Sequence, residues 1–467
     1  MPEFLTNLLR SLRGARGEDM QLLCRQLLSQ RGEASQTVLA QRIIDRYNAQ
    51  SMTERLSFFK MLAKDFGPNE AAIQQALSQG KGAFTPESIS ALAAAAEPPR
   101  QELFRRINTG ANGTETLVAM RSDLLRSMPA HPDLAAVDAD LKHLFRSWFN
   151  RGFLRLDRIG WHTSAFTLEK LIHYELVHEI NGWPDLRRRL EADRRCFAFF
   201  QPSLPGDPVI FVEVALTHGL ARDIAPLLDI NAPVLPPEKA DTAIFYSINN
   251  CLDGLRGIPF GNFLIKQVVD ELHAELPNIK NFSTLSPVPL LARALSQQDS
   301  ENGFTRERLE RLLHDFSSDL LRTSELTRES GKSDPVEALN YLLQDPAKYR
   351  DVLAAPLRRL TLAYFTQLRA GDRIYDPVAA FHLSNGARVE SIDPFANLRP
   401  YGLRDSFGVM VNYRYVPKDL EENHEQFVRT GNPRVAPGLM QEKRKIAALW
   451  TGRAEKKSSG KTISSRV

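Results

Sequence analysis

The chain reads as an α+β protein, an all-α helical bundle followed by a mixed-sheet domain with helical insertions. Three observations predict this. Residues 1 to about 150 carry apolar residues at helical spacing with almost no β-type alternation. From residue 151 onward, short apolar runs separated by Pro/Gly turns signal strands. Between them Gly254, Gly257 and Gly261 crowd into a loop that leads directly into an apolar-striped helix.

The helical part occupies 1–150. In SMTERLSFFKMLAKDFGP, Ser51 and Glu54 form a capping box, Leu56, Phe59, Leu62 and Ala63 share one face, and Gly67-Pro68 ends the helix. GEDMQLLCRQLLSQRG, SQTVLAQRIIDRYNAQ, TPESISALAAAAEPP and HPDLAAVDADLKHLFRSWFN supply further helices. None of them clusters polar residues for acid–base work, so this part reads as scaffold and assembly surface. In the second part, 151–440, CFAFF and VIFVEVAL flank a turn and read as an antiparallel strand pair, and TAIFYSINN as a third strand. The glycine loop follows, then the helix FLIKQVVDEL, a strand in IKNFSTLSPVPLL breaking at Pro287, a helical stretch over about 291–369, and a strand in FGVMVNYRYV. Residues 441–467 hold eight Lys/Arg against two Asp/Glu and read as a basic tail, disordered beyond about Gly452.

Charge and composition exclude several classes. The net charge is +4, but without the tail the body holds 52 basic against 54 acidic residues, a balance that offers no nucleic-acid groove. No apolar run is long enough for a membrane span, and the N-terminus lacks a secretory pattern, which together predict a cytoplasmic protein. Cys24, Cys196 and Cys251 are sparse and odd in number, so they read as buried thiols, with neither a disulfide framework nor a metal site.

A strand feeding a glycine loop and then a helix N-terminus is an arrangement that holds phosphates: glycine lets backbone N–H groups approach an anion, and the helix dipole adds positive potential. Neither GxxxxGK[ST] nor strict GxGxxG is present. The spacing GLRGIPFG resembles the pyrophosphate loop of GNAT acyltransferases. The longer stretches FYSINNCLDGLRGIPFGNFLIKQVVDEL, NFSTLSPVPLL, DPVAAFHLSNGA and SFGVMVNYRY, in that order, resemble the core of the malonyl-CoA decarboxylase family over about residues 155–416. The chain departs from that family's usual TLSPIPGF at Val288 and Leu290.

The resemblance implies a GNAT-like catalytic domain behind a helical oligomerisation domain, a homotetramer, and conversion of malonyl-CoA to acetyl-CoA and CO2. It implies Ser286 and His382 as catalytic residues. It puts thioester and coenzyme A contacts at Ser247, Gly254, Arg256, Gly257, Ile258, Pro259, Phe260, Gly261, Asn262, Ile265 and Tyr415. Loss of CO2 leaves a thioester enolate, whose oxygen needs fixed donors and whose carbon needs a proton. A histidine of ordinary pKa can deliver that proton, and a hydroxyl can turn the carboxylate out of the thioester plane or accept a proton. On this reading His382 is the donor and Ser286 holds the carboxylate. The thioester is the electron sink, so no cofactor or metal is called for. Two other readings fit the same residues. A GNAT acyltransferase would need an amine acceptor, and an acyl-CoA sensor would bind without turnover.

Overall fold

The computed structural model describes residues 19–30, 32–79, 85–258, 264–297, 303–314 and 326–452. Of the loop residues named above, Pro259, Phe260, Gly261 and Asn262 lie outside these, as does the chain beyond Gly452.

The helical part forms as its sequence patterns dictate. Met20–Ser29 is capped by Asp19, and Glu33–Asn48 and Met52–Asp65 follow. Ser51 and Glu54 make the capping box reciprocally, the Ser51 N–H donating to the Glu54 carboxylate at 2.8 Å. Gly113–Ser127 and Ala135–Trp148 bring this part against the rest of the chain. Their buried residues, among them Leu117, Val118, Leu141 and Phe145, join Leu255, Ile258 and Val268 in one continuous apolar core.

The second part is built on an eight-stranded mixed sheet. Its strands are β1 (Arg155–Ile159), β2 (Arg194–Phe200), β3 (Pro208–Thr217), β4 (Thr242–Asn250), β5 (Asn281–Thr284), β6 (Ser286–Pro287), β9 (Arg388–Asp393) and β10 (Met410–Tyr415). A small hairpin, β7 (Arg369–Ala370) with β8 (Arg373–Ile374), stands apart. β2 and β3 pair antiparallel as the two apolar runs predict, and TAIFYSINN is β4 throughout. β4 and β5 are parallel, joined by the glycine loop and the helix Leu264–Glu275, which buries Leu264, Ile265, Val268, Val269 and Leu272. A parallel pair needs such a crossover because the end of the first strand and the start of the second lie at opposite ends of the pair.

β4 and β5 stay together only from Thr242 to Phe245. The Leu285 N–H closes on the Phe245 carbonyl at 3.0 Å, after which Ser286 and Pro287 pair with β10 instead. Beyond Phe245, β4 pairs with β3 alone among the described residues. Ser286, at the point where the strands part, meets His382.

Two strands of the main sheet were not predicted, nor was the short β7–β8 hairpin. β1 is an edge strand reading RLDRI, whose charged residues hide the alternation. β9, reading RVESID, is an edge too and is defined by its register against β10. The boundary predicted at 440 falls inside the helix Pro437–Trp450, where Ile446 and Leu449 are buried, so the start of the predicted tail belongs to the fold. All three cysteines are free and buried, and burial pushes the Cys24 thiol up to about 12. No described helix is long and apolar enough to cross a membrane.

Candidate active site

Ser286 and His382, 96 residues apart in sequence, meet at the place where β4 and β5 separate. Ser286 begins β6. His382 sits in the last turn of the helix Pro377–Ser384, started by Asp376, whose side chain accepts from the N–H groups of Val378 (2.9 Å) and Ala379 (2.8 Å). The Tyr364 hydroxyl donates to the other Asp376 oxygen at 3.0 Å. Asp followed by Pro is a strong helix start, since Pro at the first position sacrifices no bonded N–H. Burial raises Asp376 to about 6.

The hydrogen bonds in this site form one consistent chain. Ser286 Oγ donates to Thr284 Oγ1 at 2.9 Å and lies 3.0 Å from His382 Nε2. With its own proton given to Thr284, the serine oxygen accepts from an Nε2–H. Nδ1 is then the acceptor, and the Tyr415 hydroxyl, 2.8 Å away, donates to it. Thr284 is held in turn by the Tyr413 N–H at 3.2 Å. The Tyr413 ring stacks on the imidazole with centroids 4.6 Å apart and planes 22° from parallel, fixing its orientation.

His382 is fully enclosed, and burial alone drives its pKa down to about 3. The sequence led to a histidine of ordinary pKa; the structure makes it neutral at pH 7, because burial disfavours the charged form and no carboxylate among the described residues is bonded to it to offset that. Burial likewise holds the Tyr415 phenol far above its usual range.

A cavity of about 370 Å³ opens onto this chain. Ile210 and Val212 of β3, Ile248 and Asn250 of β4, Ile258, Leu264 and Ile265 line one side, and Val378, Phe381 and His382 the other. The walls are apolar apart from His382, Ser384 and the two asparagines, Asn250 and Asn385. Among the described residues no group of three His, Cys, Asp or Glu side chains is arranged to hold a metal ion.

The residues expected at the site divide into three groups. Ser286, His382, Tyr415, Ile258 and Ile265 come together as described. Ser247 does not join them: it points to the opposite face of β4, where its hydroxyl donates to Glu175 at 2.6 Å and accepts from Asn249. That face also buries Glu213 against Arg189 at 2.8 Å, so Ser247 belongs to a structural polar cluster. Gly254 is also elsewhere. A Cβ on it would stand 1.9 Å from the Val118 carbonyl oxygen, so it is glycine to admit the Gly113–Ser127 helix. Its own carbonyl accepts from Arg121 at 2.7 Å, as does that of Arg256 at 2.9 Å. The Arg256 side chain is exposed beside Asp253, and Gly257 holds φ +73°, a left-handed turn that favours glycine.

Thr284 and Tyr413 were not singled out from sequence. A signal existed: Thr284-x-Ser286 and Tyr413-x-Tyr415 each place two side chains on one face of a strand.

Fold and site together define an α+β protein whose mixed sheet carries a buried Ser–His–Tyr hydrogen-bond chain at the end of an apolar cavity. Residues 152–455 match the malonyl-CoA decarboxylase C-terminal domain and residues 66–149 the N-terminal domain of the same family. The chain is 43% identical to the malonyl-CoA decarboxylase of Agrobacterium vitis, whose crystal structure superposes with a TM-score of 0.81 over 91% of this chain and 100% of that one. For the Rhodopseudomonas palustris structure of the same name the identity is 42% and the TM-score 0.77, over 90% and 98%. The rat protein named mitochondrial malonyl-CoA decarboxylase is 34% identical over 73% of this chain and 70% of its own length. The chain belongs to the malonyl-CoA decarboxylase family.

Proposed function

We propose that the protein decarboxylates malonyl-CoA to acetyl-CoA and CO2, and that Ser286 and His382 carry the reaction. The observation that carries this reading is the buried Ser286–His382–Tyr415 chain facing an apolar cavity beside the glycine loop. The pantetheine arm fills the cavity and the phosphates lie toward the loop. Ser286 swings its hydroxyl from Thr284 to the malonyl carboxylate and turns it out of the thioester plane.

That carboxylate also explains how a neutral histidine becomes an acid. An anion brought within a few ångströms favours the charged form of His382, so the imidazole takes up a proton as substrate binds. The C–C bond then breaks, CO2 leaves, and the electron pair passes into the thioester as an enolate. The imidazolium returns its proton to the enolate carbon, giving the acetyl methyl group. Atoms balance with one proton consumed per turnover, and the thioester serves as electron sink without a cofactor. The protein acts as a homo-oligomer, a tetramer by family resemblance.

Purified protein with malonyl-CoA and no acceptor should form acetyl-CoA and CO2, and His382→Asn should lose about 100- to 10,000-fold in turnover. Consumption of acyl-CoA only with an added amine would instead identify an acyltransferase, and tight binding with no turnover a sensor.

A further inference from the structure

The glycine loop is gripped by the helical part at three points. Gly254 packs against the Val118 carbonyl so closely that no side chain could be accommodated. The Arg121 guanidinium, 1% exposed, bonds the carbonyls of Gly254 and Arg256 while its Nε pairs with Asp138 at 2.7 Å. One turn further along the Asp138 helix, the Lys142 ammonium stands 3.5 Å from where a Cβ on Gly257 would lie.

This third contact differs from the other two. Val118 and Arg121 are buried and satisfied, whereas Lys142 is half-buried and its ammonium has no hydrogen-bond or ion-pair partner among the described residues. Gly257 is exposed, the ψ of 128° at Arg256 turns the Gly257 amide out of the preceding 3₁₀ turn, and that N–H has no partner among the described residues either. An unpaired backbone N–H beside an unpaired ammonium is a site for an anion. The Ile258 side chain next in sequence lines the cavity, so the anion and whatever fills the cavity lie at two ends of one path.

We propose that Lys142, supplied by the helical part, binds a phosphate of coenzyme A together with the Gly257 amide. The helical part is thereby a component of the substrate site as well as an assembly surface. The Arg121–Asp138 pair is the brace that keeps Lys142 in register with the loop. This inference rests on the reading that the substrate is a coenzyme A thioester.

Lys142→Met, Lys142→Arg and the wild type should be titrated calorimetrically with coenzyme A and with pantetheine, which lacks every phosphate, and assayed with malonyl-CoA and malonyl-pantetheine. Loss of one charge-assisted contact should raise the Kd for coenzyme A and the KM for malonyl-CoA by about 10- to 100-fold in Lys142→Met. The turnover number should hold, the malonyl-pantetheine ratio of variant to wild type should be near one, and Lys142→Arg should recover most of the affinity. An unchanged Kd for coenzyme A in Lys142→Met overturns the proposal. An equal loss toward pantetheine and coenzyme A overturns it too, because that is the mark of a fold defect. The titration requires no turnover, so failure of the decarboxylation reading would show separately, in a wild type that binds coenzyme A yet makes no acetyl-CoA.

Discussion

Tyr415→Phe removes one oxygen atom and nothing else, and that oxygen is the only hydrogen-bond partner of His382 Nδ1 among the described residues. In the free protein the phenol donates to a neutral imidazole, a bond worth about 1 kcal/mol net. When the ring takes up a proton, the hydroxyl reverses and accepts from Nδ1–H, and a bond to a charged group is worth about 1.5–3 kcal/mol. The variant loses both, so only the difference, roughly 0.5–2 kcal/mol, appears in the barrier measured from free enzyme and substrate. That is about a 2- to 30-fold fall in kcat/KM. The Phe ring keeps its packing against Phe245, with the Tyr415 and Phe245 centroids 6.4 Å apart, so the fold should lose only about 1 kcal/mol. The assay is steady-state formation of acetyl-CoA beside a thermal melt, with His382→Asn as reference. An unchanged kcat/KM would show that Nδ1 needs no partner in the reaction. A loss as deep as that of His382→Asn would make Tyr415 the proton donor itself. Either outcome refutes the imidazolium mechanism as drawn.

Gly254→Ala should lower the melting midpoint and raise the KM for malonyl-CoA together, since the added methyl meets a backbone oxygen at 1.9 Å and overpacking costs about 1–3 kcal/mol; calorimetry and kinetics on the one variant check both. Nitrogen NMR of histidine-labelled protein should find His382 and His178 still neutral at pH 5.5, where an ordinary imidazole is about nine-tenths charged. Burial depresses both to about 3, which puts their titration well below the normal range and on its acid side.

Local physics is what the sequence carries best, and it carried much of this molecule. The capping box at Ser51 and Glu54, the apolar stripe of Leu264–Leu272 and the two strand runs around the Pro/Gly turn each depend on neighbours within a few positions, so spacing alone reveals them. The motif residues Ser286 and His382 were likewise legible, and they do meet. What spacing cannot hold is the environment that tertiary contact creates. His382 is a pH-7 acid by its residue type and a neutral imidazole by its burial, a fact set by Tyr413 and Tyr415 arriving from a strand near the far end of the chain. Ser247 looked like a ligand contact until a bulge between Glu213 and Val214 and the pleat of β4 turned it to the other face. The glycines of the loop look alike in sequence, yet Gly254 is glycine because Val118 presses on it and Gly257 because its φ is positive. The first reason exists only once residues 136 positions apart are in contact; the second is a property of the backbone at one residue, and only folding shows which glycine has it.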